Sequence, residues 1–333
     1  MIFSAALLLS VVAFDAPRAC TVQADSLQIQ EWKVPWEKTR PRDPSVDKEG
    51  RVWFVGQAGR YIGVLDPKTS EFKKYDLESN NAPHNQIIDK EGNVWYSGNT
   101  SGHIGRLDPK TGEIKQFPTP DVRDPHTLIF DKNGDIWFTA QNAGVVGRFS
   151  PKSGKYDIVK TGERTRPYGI IIDSRGHPWF DEFGTNKIGT IDPKTMELKE
   201  YTLPEGTSPR RIAVTSDDII WYGDYRRGYL GRLDPKSGKV DEYALPGGAT
   251  AMPYGMTSDD KDRIWIAEIG KQPADGQGAK VRIVAFDPKD CNFFKTGWVP
   301  SGGGTVRYMV FHKPTREIWF GSDANTIGRI RVP

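Results

Sequence analysis

The 333-residue chain predicts an all-β fold, a seven-bladed β-propeller with four-stranded blades, and three observations carry that expectation. First, Trp53, Trp95, Trp137, Trp179 and Trp221 recur every 42 residues, and Trp265 and Trp319 follow after 44 and 54. Second, each unit divides into four short apolar runs separated by turns. The stretch from Pro83 to Pro120 splits in this way into PHNQIIDKEG, NVWYSGNT, SGHIGRLDPKTG and EIKQFPTP. A repeat of this length with four strands fits a propeller blade, because one small sheet cannot hide its apolar faces and radially stacked sheets cover one another. Third, the two ends complement each other. The seventh unit stops after three strands at NTIGRIRVP, and Leu27 to Pro35 (LQIQEWKVP) reads as the missing fourth strand. Closing the ring with it removes an exposed sheet edge.

Residues 2–14 (IFSAALLLSVVAF) form an uncharged apolar run too short to span a bilayer, as expected of a signal-peptide core. Cleavage is expected after Ala24, with a second candidate near Ala19, so that residues 1–24 are removed and 25–333 form one propeller domain. Cys20 also suits a lipidated cysteine, although Arg18 sits where small or apolar residues are expected. With Cys20 removed, Cys291 stands alone and no disulfide is expected. The protein is then periplasmic or secreted, with no membrane span and as a monomer.

Within each unit, the first strand follows a Pro-X pair and the second carries the Trp. The third holds the IGR motif, and the fourth alternates charged and apolar residues like an outer edge. DKEG and DKNG at 89–92 and 131–134 are turns after the first strand, and Asp-Pro-Lys-Thr-Gly is the turn before the fourth. Seven repeated Trp side chains are expected as wedges between blades. The sixth unit has a polar insertion at Lys271 to Ala279, expected as a surface loop. Gly (35), Pro (24) and 11% aromatic residues suit a turn-rich all-β domain. A net charge of only +3, with Lys and Arg dispersed through the repeats, argues against a nucleic-acid partner.

Function should reside in what varies between copies, since what repeats is structural. Two positions stand out. The residue after the first-strand Pro reads Ser45, His84, His126, Tyr168, Arg210 and Tyr254, with Arg307 or Tyr308 in the seventh unit. Three or four residues after the Trp stand Gln57, Asn99, Gln141, Glu182, Asp224, Glu268 and Asp323. Both positions are expected around the central channel, where Tyr168, Glu182, Arg210, Asp224, Tyr254 and Glu268 would bind a small-molecule or cyclic peptide ligand. His84 and His126 occupy equivalent positions on adjacent blades and should lie near each other at the mouth, where with Asp124 nearby they can orient a general base or help hold a metal. His103, His177 and His312 are expected to be structural.

The repeat, with its Trp-aromatic strands, IGR turns and KEYTLP-like outer strands, resembles the virginiamycin B lyase (streptogramin B lyase) family over residues 27–333. The resemblance implies a carbon–oxygen lyase that opens a cyclic depsipeptide by elimination with Mg²⁺. The family's histidines lie in Pro-His pairs on adjacent blades. His84 and His126 match them, and Asp124-Pro125-His126 matches a Glu-Pro-His with Asp for Glu. A further family Glu falls at Gln141. In this chain the constellation sits in the second and third blades, whereas the family's lies near the C-terminus. By that resemblance one histidine removes the proton α to the ester carbonyl and its partner protonates the leaving oxygen. Asp124 and Gln141 would hold the Mg²⁺, a neutral Gln binding it less well than Glu. Two rival readings remain: a non-catalytic propeller that binds a ligand or protein, and a metal-dependent lactonase-type hydrolase using Glu182, Asp224, Glu268 and Asn99.

Overall fold

A computed structural model describes residues 14–270 and 280–333. The expected insertion loop at 271–279 and the apolar run up to residue 13 lie outside the described residues. Seven antiparallel sheets surround a channel, each running from an inner strand at the axis to an outer strand at the rim. The inner strands are Pro41–Val46, Pro83–Ile88, Pro125–Phe130, Pro167–Ile172, Pro209–Val214, Pro253–Ser258 and Val306–His312. Blade 7 is completed as expected: Ile29–Lys33 pairs antiparallel with Thr326–Arg331, from Ile29 opposite Ile330 to Lys33 opposite Thr326.

The seven tryptophans are the wedges, each at most 4% exposed. The Trp53 cluster shows how they work, joining Val55 and Ile62 of blade 1 to Val94 and Tyr96 of blade 2. The indole N–H groups are satisfied by the turn after the inner strand. Trp53, Trp95, Trp137, Trp179 and Trp265 donate to Asp47, Asp89, Asp131, Asp173 and Asp259, each six residues earlier. Thr215 takes that place for Trp221. Blade 7 has Lys313 there, and the Trp319 N–H has no partner among the described residues. The Asp of each DKEG-like turn therefore serves the core as well as the turn.

The N-terminal segment departs from expectation. Thr21–Ser26 lies parallel to the outer strand of blade 6, Asn292–Gly303, as a fifth strand. Before it, Arg18 bridges to Tyr243 on blade 5 and pairs with Asp241 at 3.0 Å. Cys20 and Cys291 form a disulfide, with Cα atoms 5.1 Å apart, which corrects the expectation of an unpaired Cys291. Cleavage after Ala24 would remove this bond, and lipidation of Cys20 is incompatible with it. The outer strand of blade 5, Val240–Ala244, is mostly buried under this segment, whereas the outer strands of blades 1 to 4 alternate. No described helix is long and apolar enough to cross a membrane.

Candidate functional site

The head of every inner strand is irregular. Regular pairing breaks just after the first residue or two, as between Pro83 and Gln86 or Pro125 and Leu128. A bulge breaks the alternation of side chains, and here two consecutive residues per blade reach the channel. The upper ring is Arg42, His84, His126, Tyr168, Arg210, Tyr254 and Arg307. The ring beneath it includes Asp43, Asn85, Thr127, Arg211 and Tyr308. Blade 1 corrects the sequence reading. Its strand starts at Pro41, opposite Gly56, so Arg42 is the counterpart of His84, and Ser45 lies further down opposite Trp53.

His84 and His126 meet as expected, with ring centroids 3.4 Å apart. His126 Nδ1 contacts Thr127 Oγ1 at 2.9 Å, its carbonyl accepts from Ser97 Oγ at 2.8 Å, and its ring lies 4.2 Å from that of Tyr168. His84 Nδ1 is buried and has no partner among the described residues. Burial pushes both histidines well below the usual imidazole range. The cations Arg42, Arg211 and Arg307 add to this at His84, and Arg211, Arg42 and Arg210 at His126. Both are therefore neutral at pH 7.

Tyr168 and Tyr254 are brought together too. Although on non-adjacent blades, their hydroxyls hydrogen-bond to each other, and Arg210 Nη2 donates to the Tyr254 oxygen at 3.1 Å. Burial raises the Tyr168 phenol, but the surrounding Arg211, Arg42 and Arg210 outweigh it and leave it lower than an ordinary tyrosine. Beneath, Arg211 crosses the axis. Its Nη1 donates to Thr127 Oγ1 at 3.2 Å, its Nη2 lies 3.5 Å from Asp43 Oδ2, and its Nε donates to the Arg307 carbonyl at 2.9 Å. Asn85 donates to Asp43 at 3.0 Å and accepts from the Leu128 N–H at 2.9 Å. This buried network floors the upper mouth. On the opposite side, Arg211 and Tyr308 line a cavity of 190 Å³ together with Ile129, Ile170, Val214, Met256 and Phe311.

The carboxylates expected at the channel point elsewhere. Glu182 accepts from Thr185 at 2.9 Å and faces Glu200 of its own outer strand. Asp224 is bound by Arg227 Nε at 2.5 Å, and Glu268 by Arg282 Nε at 2.7 Å and the Gly247 N–H at 3.1 Å. The position three after the Trp is an ordinary residue of the second strand. Its side chain points to a blade face and not to the inner edge.

Asp124 and Gln141 do not fit a magnesium ion as they lie. The Asp124 oxygens accept from the backbone N–H groups of Asn142 (2.5 Å) and Ala143 (3.2 Å). The Gln141 amide oxygen, in the orientation that satisfies its neighbours, accepts from Arg166 at 2.7 and 3.2 Å. A dication there would meet the Arg166 guanidinium and compete with two backbone N–H groups for the Asp124 oxygens. No group of three or more His, Cys, Asp or Glu suited to a metal occurs among the described residues.

Sequence reasoning missed Arg42, Asp43, Arg211 and Asp181. Asp181 is fully buried and accepts from the Gly169 N–H at 2.9 Å, and its other oxygen is unpartnered among the described residues. Burial raises its acid to about 8 against the opposing pull of Arg211. One signal could have found it: two residues after the Trp the other units carry Val, Ser, Thr, Gly, Ala and Gly, and only this one an acid.

Solved structures of similar fold support the architecture. Virginiamycin B lyase from Staphylococcus aureus superposes with a TM-score of 0.79 at 24% identity, covering 92% of this chain and 100% of that one. A catalytically inactive histidine-to-alanine form of it, crystallised with quinupristin, matches with the same values. The extracellular domain of the one-component system BT4673 from B. thetaiotaomicron matches at 17% identity and a TM-score of 0.67, covering 93% of this chain and 42% of that one. No curated protein matches the sequence. The profile of the virginiamycin B lyase family matches residues 87–290, well over half of the chain. With seven four-stranded blades and a histidine pair at one mouth of the channel, the chain belongs to the virginiamycin B lyase family.

Proposed function

We propose that this protein is an exported carbon–oxygen lyase that opens a cyclic ester or depsipeptide by elimination at the upper mouth. The observation that carries the reading is the His84–His126 pair, with ring centroids 3.4 Å apart and the imidazoles held neutral by burial and surrounding arginines. A neutral imidazole is the form that removes a proton from carbon. His126, oriented through Thr127 and backed by Tyr168, is the base, and His84 with its free Nδ1 is its partner at the reacting atoms. Tyr168, its acidity raised by three guanidiniums, supplies a proton to the leaving oxygen, and Tyr254 holds its hydroxyl in place. Arg42 and Arg210 provide the fixed positive field against which enolate-like charge develops. This differs from the sequence expectation, in which the partner histidine is the acid and Asp124 with Gln141 holds Mg²⁺. No step here is routed through a metal. Two observations favour export: the Cys20–Cys291 disulfide, since such bonds persist in oxidising compartments, and the extracellular setting of one structural neighbour.

The test is turnover of a streptogramin B-type depsipeptide by the purified protein, with and without Mg²⁺ and with a chelator. Elimination gives a linear product of unchanged mass with a new conjugated ultraviolet band, and His126→Ala should lower the rate at least 100-fold. A mass gain of one water would assign a hydrolase instead. Bound but unaltered depsipeptide would assign the non-catalytic binding propeller.

A further inference from the structure

The upper mouth holds more positive charge than its own carboxylates neutralise. Arg307 is ion-paired with Asp323, and Asp43 lies between Arg42 and Arg211. Arg210 has no ion-pair partner among the described residues. Its guanidinium sits 3.8 Å from the Tyr254 ring centroid, 4.2 Å from that of Tyr225 and 4.7 Å from that of Phe183. Nη2 donates to the Tyr254 hydroxyl, and the buried Nε has no partner. Arg42, 4% exposed, spends Nε on Asp43 and Nη1 on Gln57 and leaves Nη2 without a partner among the described residues. Aromatic faces stabilise a cation from above. They leave its in-plane N–H groups unused, and those groups match a planar carboxylate fork to fork. A buried guanidinium N–H left without an acceptor is costly to keep, and a ligand anion removes that cost.

We propose that the upper mouth contains a carboxylate-binding subsite formed by Arg210 and Arg42, and that a substrate carries its carboxylate on the carbon that His126 deprotonates. This rests on the elimination reading of the same site. The chemistry requires the arrangement. Removing a proton α to a free carboxylate builds a dianion, which a neutral imidazole cannot drive unless cations hold both charges. The C–H proton passes to His126, its electron pair forms the carbon–carbon double bond, and the bond to the β-oxygen breaks. That oxygen takes its proton from the Tyr168 hydroxyl. Atoms and electrons balance with no co-reactant.

Glucuronate is a small probe with a carboxylate, an adjacent C–H and a β-oxygen. Titration calorimetry on the full chain at low salt should show glucuronate binding at least tenfold more tightly than its methyl ester or glucose. Arg210→Gln should weaken glucuronate at least tenfold and Arg210→Lys by less, with unchanged thermal melts certifying the fold. Equal affinity for glucuronate and glucose, no binding of either, or binding unmoved by Arg210→Gln overturns the subsite. The elimination reading fails separately, if glucuronate binds through Arg210 and yet neither the depsipeptide nor a 4-O-linked uronate disaccharide develops the ultraviolet band of a new double bond.

Discussion

His84 and His126 are neutral in the fold at a pH where the unfolded chain protonates its histidines. Their folded affinity for protons is lowered, so stability is full above about pH 6.5 and falls as the pH drops below it. The loss is about 1.4 kcal/mol per pH unit for each histidine. Asp181 acts with the opposite sense. Its acid is raised from 3.8 to about 8, so its contribution is full at the acid end and declines as the pH rises from about 4 to 8. Denaturant melts across pH 4–9 should show both slopes. Asp181→Asn should abolish the decline toward pH 8 and keep the acid limb, whereas a curve identical to that of the parent protein would refute an acid that is protonated in the fold. The histidine pair was legible because only two of five histidines share the same place in the repeat. Arg42 was hidden by a second proline, Pro44, which offered a false strand head. The inner ring of Asp43, Thr127 and Arg211 was hidden because a bulge, which no residue spacing announces, turns a second side chain to the axis.

At the scale of the strand, one cross-strand pair explains the glycine of the IGR motif. Phe54, Tyr96, Phe138, Phe180, Tyr222 and Phe320 lie directly opposite Gly63, Gly105, Gly147, Gly189, Gly231 and Gly328. Each ring covers its glycine so closely that a Cβ on Gly147 would lie 2.3 Å from Phe138 Cζ. Blade 6 changes both partners together, to Ile266 opposite Val284. Gly147→Ala should destabilise by about 1–3 kcal/mol in chemical denaturation, as overpacking does. Adding Phe138→Ile to Gly147→Val should recover part of the loss caused by Gly147→Val alone. Strictly additive costs would mean that the pair is not coupled. The repeat gave the glycine and the aromatic ring as motifs, but their pairing depends on strand register, which the sequence alone left unstated. The same holds for the Asp–Trp bonds: both residues were visible, their six-residue link was not.

The whole molecule is a ring fastened by its N-terminal segment, which reaches blade 5 at Arg18, blade 6 at Thr21–Ser26 and blade 7 at Ile29–Lys33. Seven blades and their closure were legible from the repeat and from the missing strand at the C-terminus. The strap on blades 5 and 6 was not, because residues 15–26 carry small and polar residues that read equally well as a processing site. Closing 271 residues with the Cys20–Cys291 bond stabilises the fold by about 5 kcal/mol in the chain-entropy picture. Reduction, or Cys291→Ser, should lower the melting temperature of the full chain by several degrees, and an unchanged melt would show that the strap bears no load. The bond also changes what a cut can do. A single break at an exposed turn such as Lys110–Thr111 opens a closed loop and does not divide a line. A protease-nicked molecule should therefore run as one species on a denaturing gel and separate into two fragments only after a reductant is added. A cut between Cys20 and Cys291 would leave both fragments tethered and able to reassemble around the same axis.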